Sequence, residues 1–140
     1  MISMSAYLRV EGEELDVDQL LAQLDLTPSV VGRRGEQNRL GRRLDISFLS
    51  FAVSEASLQD AEQQIDDALK FVEHFKADLE VLAHFPGADY RFIDFGIEHR
   101  NVAHHVDVMP RELLAALGRF RIDLHVSRYP RTPPEDSNSA

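Results

Sequence analysis

The 140-residue chain contains no cysteine, which excludes disulfide bridges, thiolate catalysis and cysteine-ligated zinc. No apolar run approaches the ~18 consecutive residues that a membrane helix requires. The first residues, MISMSAYLRVEGEE, lack the basic start and the apolar core of a secretory signal. These absences predict a cytoplasmic protein with no membrane partner.

Basic residues are also scarce, with 15 Lys and Arg against 24 Asp and Glu and a net charge of −9. Non-specific binding to nucleic acid needs a broad basic face, so the charge balance predicts no nucleic-acid partner. The sequence contains no P-loop, nucleophile elbow, dinucleotide fingerprint or kinase motif. We therefore predict no catalytic residue and no cofactor, and we favour a protein that is not an enzyme.

The length and composition are those of one ordinary domain, with 44% hydrophobic and 28% charged residues. We predict a single α+β domain over residues 1–130. Residues 131–140 belong to a segment rich in proline and polar residues, PRTPPEDSNSA, and are predicted to be a disordered C-terminal tail.

Alternation of apolar and polar residues predicts strands in AYLRVEG, LDISFLSFAV, YRFIDFGIEH and FRIDLHVSRY. In the second of these the alternation changes parity, which predicts a bulge at Phe48–Leu49 or a strand buried on both faces. The helical period appears in DVDQLLAQL, in PRELLAAL and along Ser57–His84. As one rod that last helix would be roughly 42 Å long. We therefore expect a break near Glu73–Lys76; an unbroken helix would need a partner helix.

These elements predict a mainly antiparallel sheet with helices on one face, in the order β-α-β-α(-α)-β-α-β. The sequence similarity between the segments DVDQLLAQL and DVMPRELLAAL favours a split β-α-β, or ferredoxin-like, arrangement. The predicted core residues are the inward positions of the strands: Ala6, Leu8, Val10, Ile46, Ile93, Phe95, Ile97, Ile122, Leu124 and Val126.

Two stretches, YLRVEGEELDVDQLLAQLDLTPSVVGRRGE and ELLAALGRFRIDLHVSRYP, carry a family resemblance. With them the chain resembles the bacterial domain-of-unknown-function family 4279 from Tyr7 to Pro130. The resemblance implies a strand and helix that lead to a basic, glycine-containing loop, and a late helix that leads to a strand ending in an aromatic residue. It implies no activity and transfers no catalytic residue.

A basic loop follows the first helix. Residues 33–43 contain five arginines and one glutamate, a net charge of +4, so the other 129 residues carry −13. Arginine forks and glycine-rich backbone can bind a phosphate or carboxylate, and the candidate ligand-binding residues are Arg33, Arg34, Arg42 and Arg43. The simpler interpretation is that these arginines only offset nearby acidic surface and keep the loop solvated.

Three histidines cluster in HRNVAHH: His99, His104 and His105. With Asp107 they could bind zinc or nickel. The spacing lacks HExxH or HxH, and adjacent histidines on a strand point in opposite directions. We therefore favour surface histidines and predict no metal site.

The outward residues of the first and last strands form the candidate interaction face. They are Tyr7, Arg9, Arg121, Asp123, His125 and Tyr129. If those two strands are neighbours, this surface could be a ligand platform, a dimer face or a solvated sheet face. We favour a non-enzymatic binding or protein-interaction module with a protein partner or a second copy. The alternative is a small-anion binding protein or enzyme that uses the Arg33–Arg43 loop.

Overall fold

A computed structural model describes residues 4–131, which form five strands and four helices. The elements are β1 (Ala6–Gly12), α1 (Val17–Leu21), β2 (Val30–Gly32), β3 (Ser47–Ser54), α2 (Ala61–His74), α3 (Lys76–His84), β4 (Tyr90–Glu98), α4 (Arg111–Arg119) and β5 (Asp123–Tyr129). Apart from its first residue, the predicted tail lies outside the described residues. The element order matches the predicted one except for the short strand β2, which is absent from the predicted order.

The five strands form one sheet in the order β2-β3-β1-β4-β5. Its β4–β5 pair is parallel and its three other pairs are antiparallel. The α+β class with a mostly antiparallel sheet is therefore confirmed. The split β-α-β detail is not confirmed, because β1 pairs directly with β3 and β4 pairs directly with β5.

The first and last strands are not neighbours in the sheet, so the condition set for one joint surface of these two strands is not met. β1 lies between β3 and β4, and β5 lies on the far side of β4. The reason is the crossover through α4, which returns the chain parallel to β4 and places β5 at the edge of the sheet.

One face of the sheet carries the core. On β1 the residues Ala6, Leu8 and Val10 are buried, and the alternate residues are half-buried on the other face. Side chains from all four helices join the same apolar cluster, so the helices pack on one face. Seven of the ten predicted core residues are buried: Ala6, Leu8, Val10, Ile93, Phe95, Ile97 and Ile122.

The other three core predictions need correction. Ile46 is only half-buried, because β3 begins one residue later and Ile46 lies in the preceding bend. Leu124 is half-buried against the core, and Val126 is 39% exposed. Both lie on β5, where the edge position leaves the side chains partly open to solvent.

The predicted bulge at Phe48–Leu49 is also wrong. Phe48 and Leu49 pair without interruption with Glu11 and Val10 of β1, and the register shift lies at Ala6/Tyr7. The alternative that we kept open, a strand covered on both faces, describes the middle of β3, where consecutive residues are buried.

The long helical segment is interrupted as predicted. α2 ends at His74 and α3 begins at Lys76, with Phe75 between them at φ −107° and ψ 30°. The first helix of the pair begins at Ala61 because Asp60 is its N-cap and accepts a hydrogen bond from the Gln63 amide at 3.1 Å.

A residue in the left-handed conformation ends α4. The helix runs through Gly118, and the left-handed residue that terminates it is Arg121, at φ 59°. The Arg121 amide donates to the Gly118 carbonyl and the Ile122 amide to the Leu117 carbonyl, which is the Schellman pattern. Arg121 is therefore part of a turn, and β5 begins two residues after it.

This turn predicts a stabilising substitution. Arg121→Gly should raise the free energy of unfolding by up to about 1 kcal/mol, because glycine removes the steric cost of the left-handed conformation. Urea unfolding measures the change. Arg119→Gly is the matched control, and it should lower stability by about 1 kcal/mol because it places glycine in a helix. A loss of stability in Arg121→Gly would contradict the assigned turn.

Candidate functional site

The sheet face opposite the helices, here called the open face, carries a mixture of aromatic, polar and charged side chains. Alternation along each strand and in-register pairing bring them together. They are Tyr7, Arg9 and Glu11 of β1, Phe48 and Ser50 of β3, Tyr90, Phe92 and Asp94 of β4, and Asp123, His125, Ser127 and Tyr129 of β5.

Four rings on this face form an aromatic cluster: Tyr7, Tyr90, Phe92 and His125. The His125 imidazole stacks on Phe92 with 4.1 Å between ring centroids and an angle of 15°. The Tyr90 hydroxyl lies 2.6 Å from His125 Nε2. Tyr7 meets Phe92 edge-on at 6.0 Å. The cluster therefore spans β1, β4 and β5, with Phe92 at its centre.

Arg9 lies next to this cluster and is held by two contacts. Its guanidinium stacks on the Phe48 ring, 3.9 Å from the centroid, and its Nε donates to Glu11 at 2.9 Å. The Phe48 ring in turn packs against Gly32 of β2, where any Cβ would overlap the ring. A glycine is needed there because the ring occupies the space of a side chain.

Carboxylates surround the aromatic cluster. Asp94 is only 3% exposed and accepts a hydrogen bond from the Ser127 hydroxyl at 2.7 Å. Asp123 is exposed at the start of β5. Together with Glu11 these give three carboxylates against the one arginine on the open face.

The environment of the open face raises the pKa of two tyrosine hydroxyl groups. Burial raises the pKa of Tyr7 above its usual 10.0, and the charge of Asp94 raises this pKa further. Burial also raises the pKa of Tyr90, and the Asp123 carboxylate adds to that effect. At neutral pH both hydroxyl groups therefore remain hydrogen-bond donors beside negative charge.

Five of the six residues predicted for the interaction face lie on the open face: Tyr7, Arg9, Asp123, His125 and Tyr129. The sixth, Arg121, lies in the turn before β5.

Our sequence reasoning missed Tyr90, Phe92 and Asp94, the β4 residues that join β1 to β5. Their signal was present, because the alternation that places Ile93 and Phe95 inward places these three outward.

The arginines of the basic loop mostly bond to neighbouring groups, whereas an anion site requires arginines that converge on the ligand. The Arg33 guanidinium donates to both oxygens of Asp18, at 2.7 and 3.3 Å, and lowers the pKa of that carboxyl. Arg34 pairs with Glu14 at 3.3 Å, and Arg43 donates to the Gly35 carbonyl at 2.8 Å. The Arg42 guanidinium has no partner among residues 4–131. Three of the four candidate arginines are thus engaged locally, which favours the simpler interpretation of this loop.

The histidine cluster lies in the loop after β4. His105 Nε2 is 3.0 Å from Asp107, which also accepts from Arg100 at 3.2 Å. Within residues 4–131, no three His, Asp or Glu side chains are grouped so that they could hold a metal ion. In the same part of the chain, no helix has the length and apolarity needed to cross a membrane.

Comparison with known sequences places this arrangement in a family. The family described as "Domain of unknown function (DUF4279)" matches residues 2–131. The chain belongs to the DUF4279 family. No curated protein and no solved structure matches it.

The family match spans the whole sheet, so the basic loop, the open face and the histidine loop are all parts of the DUF4279 domain. The resemblance drawn from the sequence is confirmed. Since the family description names no activity, the function must be argued from the chemistry of these surfaces.

Proposed function

We propose that this DUF4279 protein is a protein-interaction module whose open face binds a basic segment of a partner protein. The observation that carries the proposal is the aromatic cluster with carboxylates beside it, on a sheet face that no helix of the described chain covers.

The chemistry of the face suits arginine and lysine side chains. Aromatic rings attract cations through their faces, and they supply large contact area with little conformational entropy to lose. Arg9 on Phe48 is an example of this contact within the chain itself. The Asp123 carboxylate beside Tyr90 would add an ion pair to a cation that stacks on that ring.

The distribution of charge supports a basic partner over other partners. Outside residues 33–43 the chain carries −13, so a basic segment would be attracted before contact. The basic loop joins β2 to β3, at the edge of the sheet farthest from β5, and three of its five arginines are engaged locally. A second copy of this chain or a nucleic acid would instead meet like charge.

The proposal can be tested with two synthetic ten-residue peptides, one alternating arginine with valine and one alternating glutamate with valine. We expect the arginine peptide to shift the amide signals of β4 and β5 saturably, with an affinity that falls as salt is added. The glutamate peptide should bind at least tenfold more weakly.

Two matched variants locate the site. Asp123→Asn should weaken binding of the arginine peptide roughly three- to tenfold, because an ion pair at the cluster is lost. Asp66→Asn removes the same charge from α2 on the helix side and should leave binding unchanged. Equal binding of the two peptides, or signals confined to the helix side, would contradict the proposal.

The same spectra test the alternative function. If inorganic phosphate saturably shifts the amides of Arg33–Arg43 while the arginine peptide shifts nothing, the loop is the functional site and the protein binds small anions. Unchanged loop signals in phosphate would exclude that alternative.

A further inference from the structure

A second candidate site lies at the end of the parallel strand pair. Because β4 and β5 run in the same direction, their carboxyl ends meet at one edge, where the His99 amide donates to the Tyr129 carbonyl at 2.7 Å. The chain after β4 then runs through residues 99–109 before α4 begins. In sheets with parallel strands, this is the edge at which ligands commonly bind.

A cleft of about 390 Å³ lies between this loop and β5. That volume falls within the range of small-molecule sites, which run from about 300 to 1,000 Å³. Its apolar wall comes from β4, the loop and β5: Ile97, Val102, Met109, Leu124 and Val126. Val102 is 58% exposed and Val126 39%, so apolar surface faces the cleft without protein cover.

The rim of the cleft is basic. Arg128, His99 and His104 line it, and no ion pair among residues 4–131 engages any of the three. Arg100 and His105 also line the cleft, but both are committed to Asp107, at 3.2 and 3.0 Å. Asp107 is thereby paired, and the basic side chains that remain available are those of the rim.

Glu98 lies on the inner wall of the cleft. It is 7% exposed and accepts a hydrogen bond from Gln59 Nε2 at 3.4 Å. Arg128 attracts an anionic group to the rim of the cleft. A ligand with one charged end is therefore oriented with its anionic group outward, and its remaining part lies along the apolar wall.

We infer that this cleft binds a small amphiphilic anion, a molecule with one anionic group and an apolar body. This site is separate from the open face and does not depend on it. Its basic groups line a cleft with an apolar wall, whereas three of the five arginines of the Arg33–Arg43 loop are engaged by neighbouring groups on an exposed surface.

The test uses the full chain and sodium benzoate as the probe. Benzyl alcohol has the same apolar body without the charge, and sodium acetate has the charge without the body. We expect benzoate to shift the imidazole carbon-bound proton signals of His99 and His104 saturably. Each control compound should bind at least tenfold more weakly, because it lacks one of the two complementary parts.

Variants of exposed arginines identify the cation. Arg128→Gln should weaken benzoate binding by roughly fivefold to tenfold, since a charge-assisted hydrogen bond is lost. Arg111→Gln removes the same charge from a side chain that is 95% exposed and paired only with its neighbour Glu112, and should change nothing. Amide spectra of both variants check that the fold is retained.

Three results would overturn the inference: acetate binding as tightly as benzoate, benzyl alcohol binding as tightly as benzoate, or an Arg128→Gln variant with unchanged affinity. Each can occur whether or not basic peptides bind the open face, because the two sites report through different residues. Failure of one proposal is therefore distinguishable from failure of the other.

Discussion

Replacing Leu8 with alanine is expected to lower the free energy of unfolding by about 3–5 kcal/mol. Leu8 lies on the central strand, is 1% exposed and sits directly between Phe51 and Ile93 on the neighbouring strands. Because β1 is hydrogen-bonded on both sides, its backbone cannot move inward to fill the cavity. Urea unfolding of the two proteins gives the difference directly.

Leu124→Ala is the matched control for Leu8→Ala. It removes the same atoms from the same face of the same sheet, but on the edge strand, where the side chain is only half-buried. We expect a loss of about 1–2 kcal/mol, since less apolar area leaves solvent contact on folding. Equal losses at the two positions would mean that β5 is covered in solution and would contradict its placement at an open edge.

The contrast between these two leucines marks the limit of what alternation predicts. The pattern of apolar residues correctly assigns Leu8 and Leu124 to the inner face. It carries no information about where a strand lies across the sheet, and this lateral position decides how deeply each side chain is buried. The same limit explains why the sequence leaves the neighbours of β1 open, because parallel pairing of β4 with β5 leaves no local signal.

The residues of the open face could be predicted only in part, because their grouping also depends on the order of the strands. Outward positions on β1 and β5 followed from alternation, but Phe92, which connects them, became visible only with the strand order. Arg121 was assigned to this face because its neighbours alternate. Its left-handed conformation interrupts that alternation, and nothing in its side chain indicates such a conformation.

The basic loop shows what charge composition leaves open. Five arginines in eleven residues fit either an anion site or a solvated loop when read along the sequence. The carboxylates that neutralise Arg33 and Arg34 lie 15 and 20 residues earlier, at Asp18 and Glu14. Only the folded chain brings those charges together.

Replacing Asp78 with alanine should be the costliest change to a polar residue of α3. Asp78 is 5% exposed, and its carboxylate accepts hydrogen bonds from the amide of Leu26 at 2.8 Å and from that of Asp25 at 3.2 Å. No pattern in the sequence distinguishes Asp78 from other acidic residues, because such residues are common on helix surfaces. Its role is to hold the chain between α1 and β2 against α3.

Asp78→Ala should lower the free energy of unfolding by about 2–3 kcal/mol, because two amides lose a charged acceptor in partly buried surroundings. Asp78→Asn keeps the shape and one acceptor oxygen, so about half of that loss is expected. Glu80→Ala on the same helix removes an exposed carboxylate paired only with His84 and should change stability by less than about 0.5 kcal/mol.

Hydrogen exchange distinguishes the loss of this anchor from a general loss of stability. In Asp78→Ala the amides of Asp25 and Leu26 should exchange much faster. The exchange rates of the β4 and β5 amides should rise only by the factor that the lower global stability accounts for. If the two amides stay protected, or if Asp78→Ala behaves like Glu80→Ala, the carboxylate does not hold this segment. Because the anchor acts at the β2 edge, binding at the open face should survive its removal, which separates the proposed interaction from the stability of the fold.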